Sequence, residues 1–171
     1  LLDRGHAVRV MTRNPSPSLS HLDVEHCHGD IRDFQACLQA TSGVDVVFHT
    51  AAISGIWGKW KLFYDTNTVG TRNIVESCQR NEICKLVYTS SPSVTFDGQH
   101  QINVDETVAY PAKWMCHYPH TKALAEQHVL GANDATGLMT CALRPHLIWG
   151  PRDRHLVPRL LNRARSNKLL R

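Results

Sequence analysis

Val44-Asp45-Val46-Val47-Phe48-His49 is a short, near-continuous apolar run, closed by the small residues Thr50-Ala51-Ala52. A strand that fails to alternate between apolar and polar residues belongs in a parallel sheet covered on both faces. Outward from it the theme repeats. Val8-Arg9-Val10-Met11-Thr12 alternates and is rich in β-formers, and Val24 to His28 reads as a short second strand. Lys85-Leu86-Val87-Tyr88-Thr89-Ser90 and Met139 to Leu143 read as a fourth and a fifth. Helical stretches separate them. Asp33 caps one that runs to Ala40, a long one covers Leu62 to Arg80, and others cover His117 to Asn133 and Leu156 to Ala164. Gly5 marks the stop of a helix whose tail opens the chain. This alternation predicts an α/β fold, a doubly wound parallel sheet with helices on both sides. Ligands of such sheets sit at the carboxyl ends of the strands.

The 171 residues carry a formal net charge of +4, with 42% hydrophobic and 20% charged residues, which suits one domain with a sizeable core. No apolar run approaches the roughly 20 residues that span a bilayer, and no basic-then-apolar leader opens the chain. The cysteines Cys27, Cys37, Cys78, Cys84, Cys116 and Cys141 form no Cys-x-x-Cys pair. Buried, inert thiols in a reducing cytoplasm are the expectation. Arginines crowd the stretch from Arg144 to Arg165 without interleaved stacking aromatics. They read as a solvated basic helix face, and no nucleic-acid partner is expected. His26-Cys27-His28 and Cys116-His117 make no matched ligand set, because Cys27 would point away from both histidines on a strand, so no metal is expected.

The chemistry gathers at strand ends. The fourth strand closes with Thr89-Ser90-Ser91, and the helix beyond it opens with Tyr118-Pro119-His120-Thr121-Lys122. Residues four apart share a helix face, which makes Tyr118 and Lys122 neighbours. A phenol with a pKa of about 10 is a poor acid-base catalyst at neutral pH. An adjacent ammonium stabilises phenolate and draws that value down. A serine hydroxyl beside the pair can orient a carbonyl group. Alone, Tyr-x-x-x-Lys is a pattern that chance supplies often.

In combination these segments resemble the extended short-chain dehydrogenase/reductase superfamily, which includes the NAD-dependent epimerases and dehydratases, over nearly the whole chain. Gly29-Asp30-Ile31-Arg32-Asp33 is similar to its adenine contact, and His49-Thr50-Ala51-Ala52 to its cofactor wall. Asn67-Thr68-Val69-Gly70-Thr71 resembles its asparagine segment, and Arg144-Pro145 through Trp149-Gly150-Pro151-Arg152-Asp153 its nicotinamide flank. Val87 to Val94 and His117 to Lys122 look like the 3-beta-hydroxysteroid dehydrogenase family. Trp57-Gly58 and Leu143 to Pro151 resemble a bacterial branch that includes the 2-alkyl-3-oxoalkanoate reductases.

The resemblance implies an NAD(P)-dependent oxidoreductase that interconverts a ketone and a secondary alcohol on a hydrophobic, steroid-like or long-chain substrate. Tyr118 would be the general acid/base, Lys122 would lower its pKa and hold the nicotinamide ribose, and Ser91 would orient the carbonyl. Ser90 stays open as the alternative register. Asn67 would support the site, with a plain exposed helix position as the alternative. Thr12, Arg13, Asp30, Ile31, Thr50, Ala51, Ala52, Thr89, Tyr118, Lys122 and Pro145 are the expected cofactor contacts. Thr12-Arg13 stands where an NAD-preferring fold places a carboxylate, so nothing repels a 2′-phosphate and Arg13 is placed to pair with one. NADP is therefore preferred over NAD, although Arg13 stacking on the adenine would suit either.

Residues 1–150 would form a Rossmann-like nucleotide-binding domain without its first strand and glycine-rich turn, and 151–171 would begin a substrate-binding region. Such a fragment is expected to bind cofactor poorly by itself. A homodimer through the helix carrying Tyr118 and its neighbour is also implied. The alternatives are a nucleotide-sugar epimerase or dehydratase, which uses the same three residues, and a non-catalytic nucleotide-sensing module. Trp57, Trp60, Trp114 and Trp149 pack loops in one reading and favour an apolar substrate in the other.

Overall fold

Five short strands, the first two joined by a loop without a helix and the rest separated by helices, lie among the described residues of the computed structural model, which are 1–133, 137–151, 153, 156–166 and 168. The order is β1 (Arg9–Thr12), β2 (Glu25–His28), α1 (Phe34–Ala40), β3 (Val46–His49), α2 (Trp60–Phe63), α3 (Gly70–Arg80), β4 (Lys85–Thr89), α4 (His117–Gly131), β5 (Met139–Leu143) and α5 (Leu156–Arg165). A 3-10 turn, Leu2–Arg4, precedes β1 and ends at Gly5 with φ 77°, where a left-handed backbone favours glycine. Asp33 caps α1 as its position predicts, accepting from the amides of Gln35 at 2.9 Å and Ala36 at 3.3 Å.

All pairings are parallel, which bears out the α/β architecture. They form two pieces, β1 with β2 and β3–β4–β5 in that order. Thr12 stands opposite His28, and Thr89 opposite Leu143, so the carboxyl ends within each piece lie level. β1 and β3 do not pair, an order in which one more strand would complete a doubly wound sheet. The core lies where α1, α3 and α4 pack on these strands, through Cys37, Ile74, Val75, Cys78, Leu86, Tyr88, Ala125 and Val129.

Two expectations need correction. β3 is not buried on both faces, because only the face of Val47 and His49 is covered; on the other, Val46 is 36% and Phe48 55% exposed. The cysteines are free, but only Cys37 and Cys78 are buried, while Cys84 and Cys141 are exposed. The latter two sit at positions of β4 and β5 or their edge that face solvent, and apolar neighbours in sequence did not reveal that. Burial pushes the thiols of Cys37 and Cys78 up to about 12, which makes those two inert. α5 buries none of its described residues, in keeping with a solvated basic helix, while Arg152 and Arg154 lie outside the described residues.

Candidate active site at the strand ends

α4 is an unusual helix because its inward face carries charge. Lys122 is 2% exposed and Glu126 is fully buried, beside Pro119, Thr121, Ala123, Ala125 and Val129. A helix that served only packing would bury apolar side chains there, since unpaired buried charge is costly. Tyr118, Lys122 and Glu126 follow at intervals of four on one stripe.

The Lys122 ammonium donates to the carbonyl oxygen of Thr89 at 2.6 Å, at the carboxyl end of β4, and stands 4.1 Å from the centroid of the Tyr88 ring. Burial pushes this amine down to about 8, against the opposing pull of the Glu126 carboxylate. Tyr118 is half-buried, and the nearby Ser91 hydroxyl favours its phenolate. Ser91 also caps the 3-10 turn Pro92–Thr95 and lies 2.8 Å from the Ser93 hydroxyl. Ser90, the alternative register, turns inward and is buried.

The electrostatics differ from the sequence expectation. A phenol paired with an ammonium should fall, yet burial pushes the Tyr118 phenol up and the Ser91 hydroxyl only opposes this. The reason is geometric: the Lys122 ammonium is committed to the Thr89 carbonyl and the Tyr88 ring, and desolvation dominates at Tyr118.

Asn67 is 1% exposed, so it is no plain surface residue. It lies in a π-helical stretch, Tyr64–Val69, between α2 and α3, a feature frequent at functional sites. Its side chain pins the loop after β3, accepting from the Ile53 amide at 2.8 Å and donating to the Ile53 carbonyl at 3.0 Å. The same amide donates to Thr121 on α4 at 3.1 Å. Asn67 thus holds that loop and α4 together, with its amide engaged. Thr71 donates to the Asn67 carbonyl at 2.6 Å and so accepts from His49 at 2.9 Å, which puts the proton on His49 Nε2.

The remaining candidates line the rims. Thr50, Ala51 and Ala52 are exposed with small side chains after β3, and Pro145 is half-buried after β5. Thr12 is partly buried at the end of β1, and Arg13 beside it is exposed. Asp30 follows β2 and is gripped by Arg32 at 3.0 and 2.7 Å, which holds its carboxyl below the usual range, aided by Arg13 nearby. Ile31 turns into the core at 7% exposure, and its carbonyl accepts from Asn73 at 2.8 Å. An open cleft runs alongside, lined by Asp30, Arg32, Asp33, Lys61, Asp65 and Val69.

Small exposed residues, rim hydroxyls and a buried ammonium suit a dinucleotide laid across the strand ends. The structure thus brings Ser91, Thr89, Tyr118 and Lys122 to one rim, with Asn67 pinning the adjoining loop; Thr12, Arg13 and Asp30 stand at the ends of the other sheet piece. Sequence reasoning missed Glu126, Tyr110 and Thr121. Only Glu126 left a signal, as the third member of the stripe.

Fold and site together define a Rossmann-like nucleotide-binding unit of the short-chain dehydrogenase/reductase type. The chain belongs to the 3-beta hydroxysteroid dehydrogenase/isomerase family, whose model matches residues 1–171. It is similar to the 2-alkyl-3-oxoalkanoate reductase of Stenotrophomonas maltophilia, 46% identical over 99% of this chain and 52% of that protein. It is also similar to the 3 beta-hydroxysteroid dehydrogenase/Delta 5-->4-isomerase of Mycobacterium tuberculosis, 40% identical over 94% of this chain and 45% of that protein. The chain therefore spans about half the length of such relatives. Among solved structures, a short-chain dehydrogenase/reductase superfamily protein from Agrobacterium tumefaciens with bound NAD superposes with a TM-score of 0.72. The two are 25% identical, over 84% of this chain and 42% of that one. No described helix is long and apolar enough to cross a membrane.

Proposed function

We propose that this chain carries the cofactor-binding and catalytic part of an NAD(P)-dependent oxidoreductase. It interconverts a ketone and a secondary alcohol, 3-oxo and 3-hydroxy, on a hydrophobic steroid-like or long-chain substrate. The observation that carries this reading is the fully buried Lys122 ammonium at the end of β4, one turn beyond the half-buried Tyr118 and with Ser91 two residues past the Thr89 carbonyl it grips. Relatives named 2-alkyl-3-oxoalkanoate reductase and 3 beta-hydroxysteroid dehydrogenase/Delta 5-->4-isomerase support the substrate class.

In the reductive direction the Tyr118 hydroxyl gives its proton to the carbonyl oxygen, and in oxidation the phenolate takes it back. The Ser91 hydroxyl orients that oxygen. The Lys122 ammonium, which the Thr89 carbonyl holds in the structure, would favour the phenolate only on turning from that carbonyl towards Tyr118 and the nicotinamide ribose. The dinucleotide, when bound, supplies or accepts the hydride. Thr50, Ala51, Ala52, Thr89 and Pro145 would line its nicotinamide side; Thr12, Arg13, Asp30 and the Ile31 backbone would line its adenosine side. Arg13, without a carboxylate at the end of β1, favours NADP over NAD.

The test is an assay of the full-length protein with NADPH and with NADH, offering a 3-oxo steroid, a long-chain 3-oxo acid and a UDP-sugar. Oxidation of NADPH by one of the first two is the expected result. Tyr118→Phe should cut kcat by about 100-fold or more at nearly unchanged cofactor affinity, because it removes a proton and little surface. Full turnover by Tyr118→Phe would sink the reading.

A further inference from the structure

The one fully buried carboxylate on α4 takes no part in the chemistry above, yet three segments converge on it. Glu126 accepts from Arg144 at the end of β5, with Nη2 at 2.5 Å from Oε1 and Nε at 3.2 and 3.3 Å from the two oxygens. It accepts from the Tyr110 hydroxyl at 2.7 Å, at the end of the long loop that leads into α4. Arg144 also stands over the Tyr110 ring, 5.9 Å from its centroid. Arg144 immediately precedes Pro145, and Ser90 beside it in the sheet is buried against the same carboxylate. Burial pushes the Glu126 carboxyl up, but hydrogen bonds led by Arg144 outweigh it, so the group is anionic at neutral pH.

We propose that Glu126 is a positioning residue: a buried carboxylate brace, clasped by Arg144 and Tyr110, that fixes the Lys122 turn of α4 against the ends of β4 and β5. The inference rests on the functional reading of Tyr118 and Lys122, and extends it to a residue that touches neither substrate nor cofactor. Its electrostatic side follows from what surrounds Lys122. From β3 it faces His49, which burial pushes down to about 3 and keeps neutral. From β4 it faces Tyr88, whose phenol burial raises far above its ordinary value. On its own helix stand Tyr118, also raised, and Glu126. Among the described residues that face it, Glu126 supplies the negative charge, one turn away. Arg144 and Tyr110 face Glu126 from the end of β5 and from the loop and hold that charge in place.

The experiment titrates Lys122 in the full-length protein by NMR of isotope-labelled lysine side chains, with Lys122→Arg to assign the signal. The wild-type midpoint is expected near about 8. Glu126→Gln should move it down by about one unit, since one unit is the scale of a single nearby charge. It should also lower kcat several-fold at unchanged affinity for NADPH. A well-folded Glu126→Gln whose Lys122 midpoint stays at the wild-type value overturns the proposal. If that variant does not fold, Tyr110→Phe decides, because it removes one hydroxyl and keeps the ion pair. A several-fold fall in kcat with an unchanged melting temperature supports the brace, and wild-type kcat overturns it. Should the wild-type protein reduce no ketone, the functional reading fails by itself, while the lysine titration still tests Glu126.

Discussion

His49 shows how one residue links burial to pH. The imidazole is 4% exposed, donates to Thr71 and packs against Tyr88 with ring centroids 5.5 Å apart. Burial, with the Lys122 charge behind it, lowers its pKa from 6.5 to about 3. The sign of the linkage follows. Between those values the unfolded chain binds a proton that the folded chain refuses, so stability is complete above pH 6.5 and drains as pH falls towards 3. The loss is of the order of a few kcal/mol, at about 1.4 kcal/mol per unit. Urea melts across that window should show His49→Gln with a flatter pH dependence, since glutamine can still donate to Thr71 and cannot titrate. Parallel slopes for the two proteins would assign the acid sensitivity elsewhere. The sequence placed His49 in a motif similar to a cofactor wall, and the structure turns it inward onto Thr71 and Tyr88.

At the level of elements, strands and helices were legible because each follows from a local pattern: β-formers bounded by turns, Asp33 at a cap, Gly5 at a stop. What stayed hidden is what local pattern does not encode. The stretch from Leu62 to Arg80 reads as one helix by periodicity, yet it is interrupted by the π-helical Tyr64–Val69, which turns Thr66, Asn67 and Thr68 inward together. That change follows from tertiary bonds to Ile53 and Thr121, which no spacing rule contains. Ser91 and Lys122 were readable as a pair with Tyr118, whereas the direction of the Tyr118 shift depended on how deeply the phenol is buried.

Gly70 tests the junction that follows the π-helical stretch. A Cβ added there would lie 2.7 Å from Cδ1 and Cγ1 of Ile31, a core residue with little room to withdraw. Alanine in place of glycine would gain up to about 1 kcal/mol of helix propensity. Overpacking costs about 1–3 kcal/mol and should win, so Gly70→Ala is expected to be destabilising. A double-mutant cycle with Ile31→Ala identifies the cause. The two costs should fall short of additive by about 1 kcal/mol, and strict additivity would place the strain elsewhere.

At the scale of the molecule, the described residues form two sheet pieces with no backbone hydrogen bond between their strands, held together by helices. β1, β2 and α1 form one unit, tied by Arg9, whose guanidinium donates to the carbonyls of Ala40 at 3.1 Å and Ser42 at 2.6 Å. β3, β4, β5 and α4 form another, with β4 paired on both edges. The joint is the packing of α1 on α3, where Cys37 and Cys78 are both 0% exposed. Burial along one such seam resists separation less than a continuous ladder, because the ladder adds a hydrogen bond for every amide it pairs. In a polypeptide of these 171 residues, hydrogen exchange should therefore be slowest at the β4 amides and faster in β1 and β2. Cys78→Ala should weaken the seam and speed exchange in β1 and β2 more than in β4. Equal protection in both pieces, changing together in the variant, would mean that the α1–α3 seam unites them into one cooperative unit.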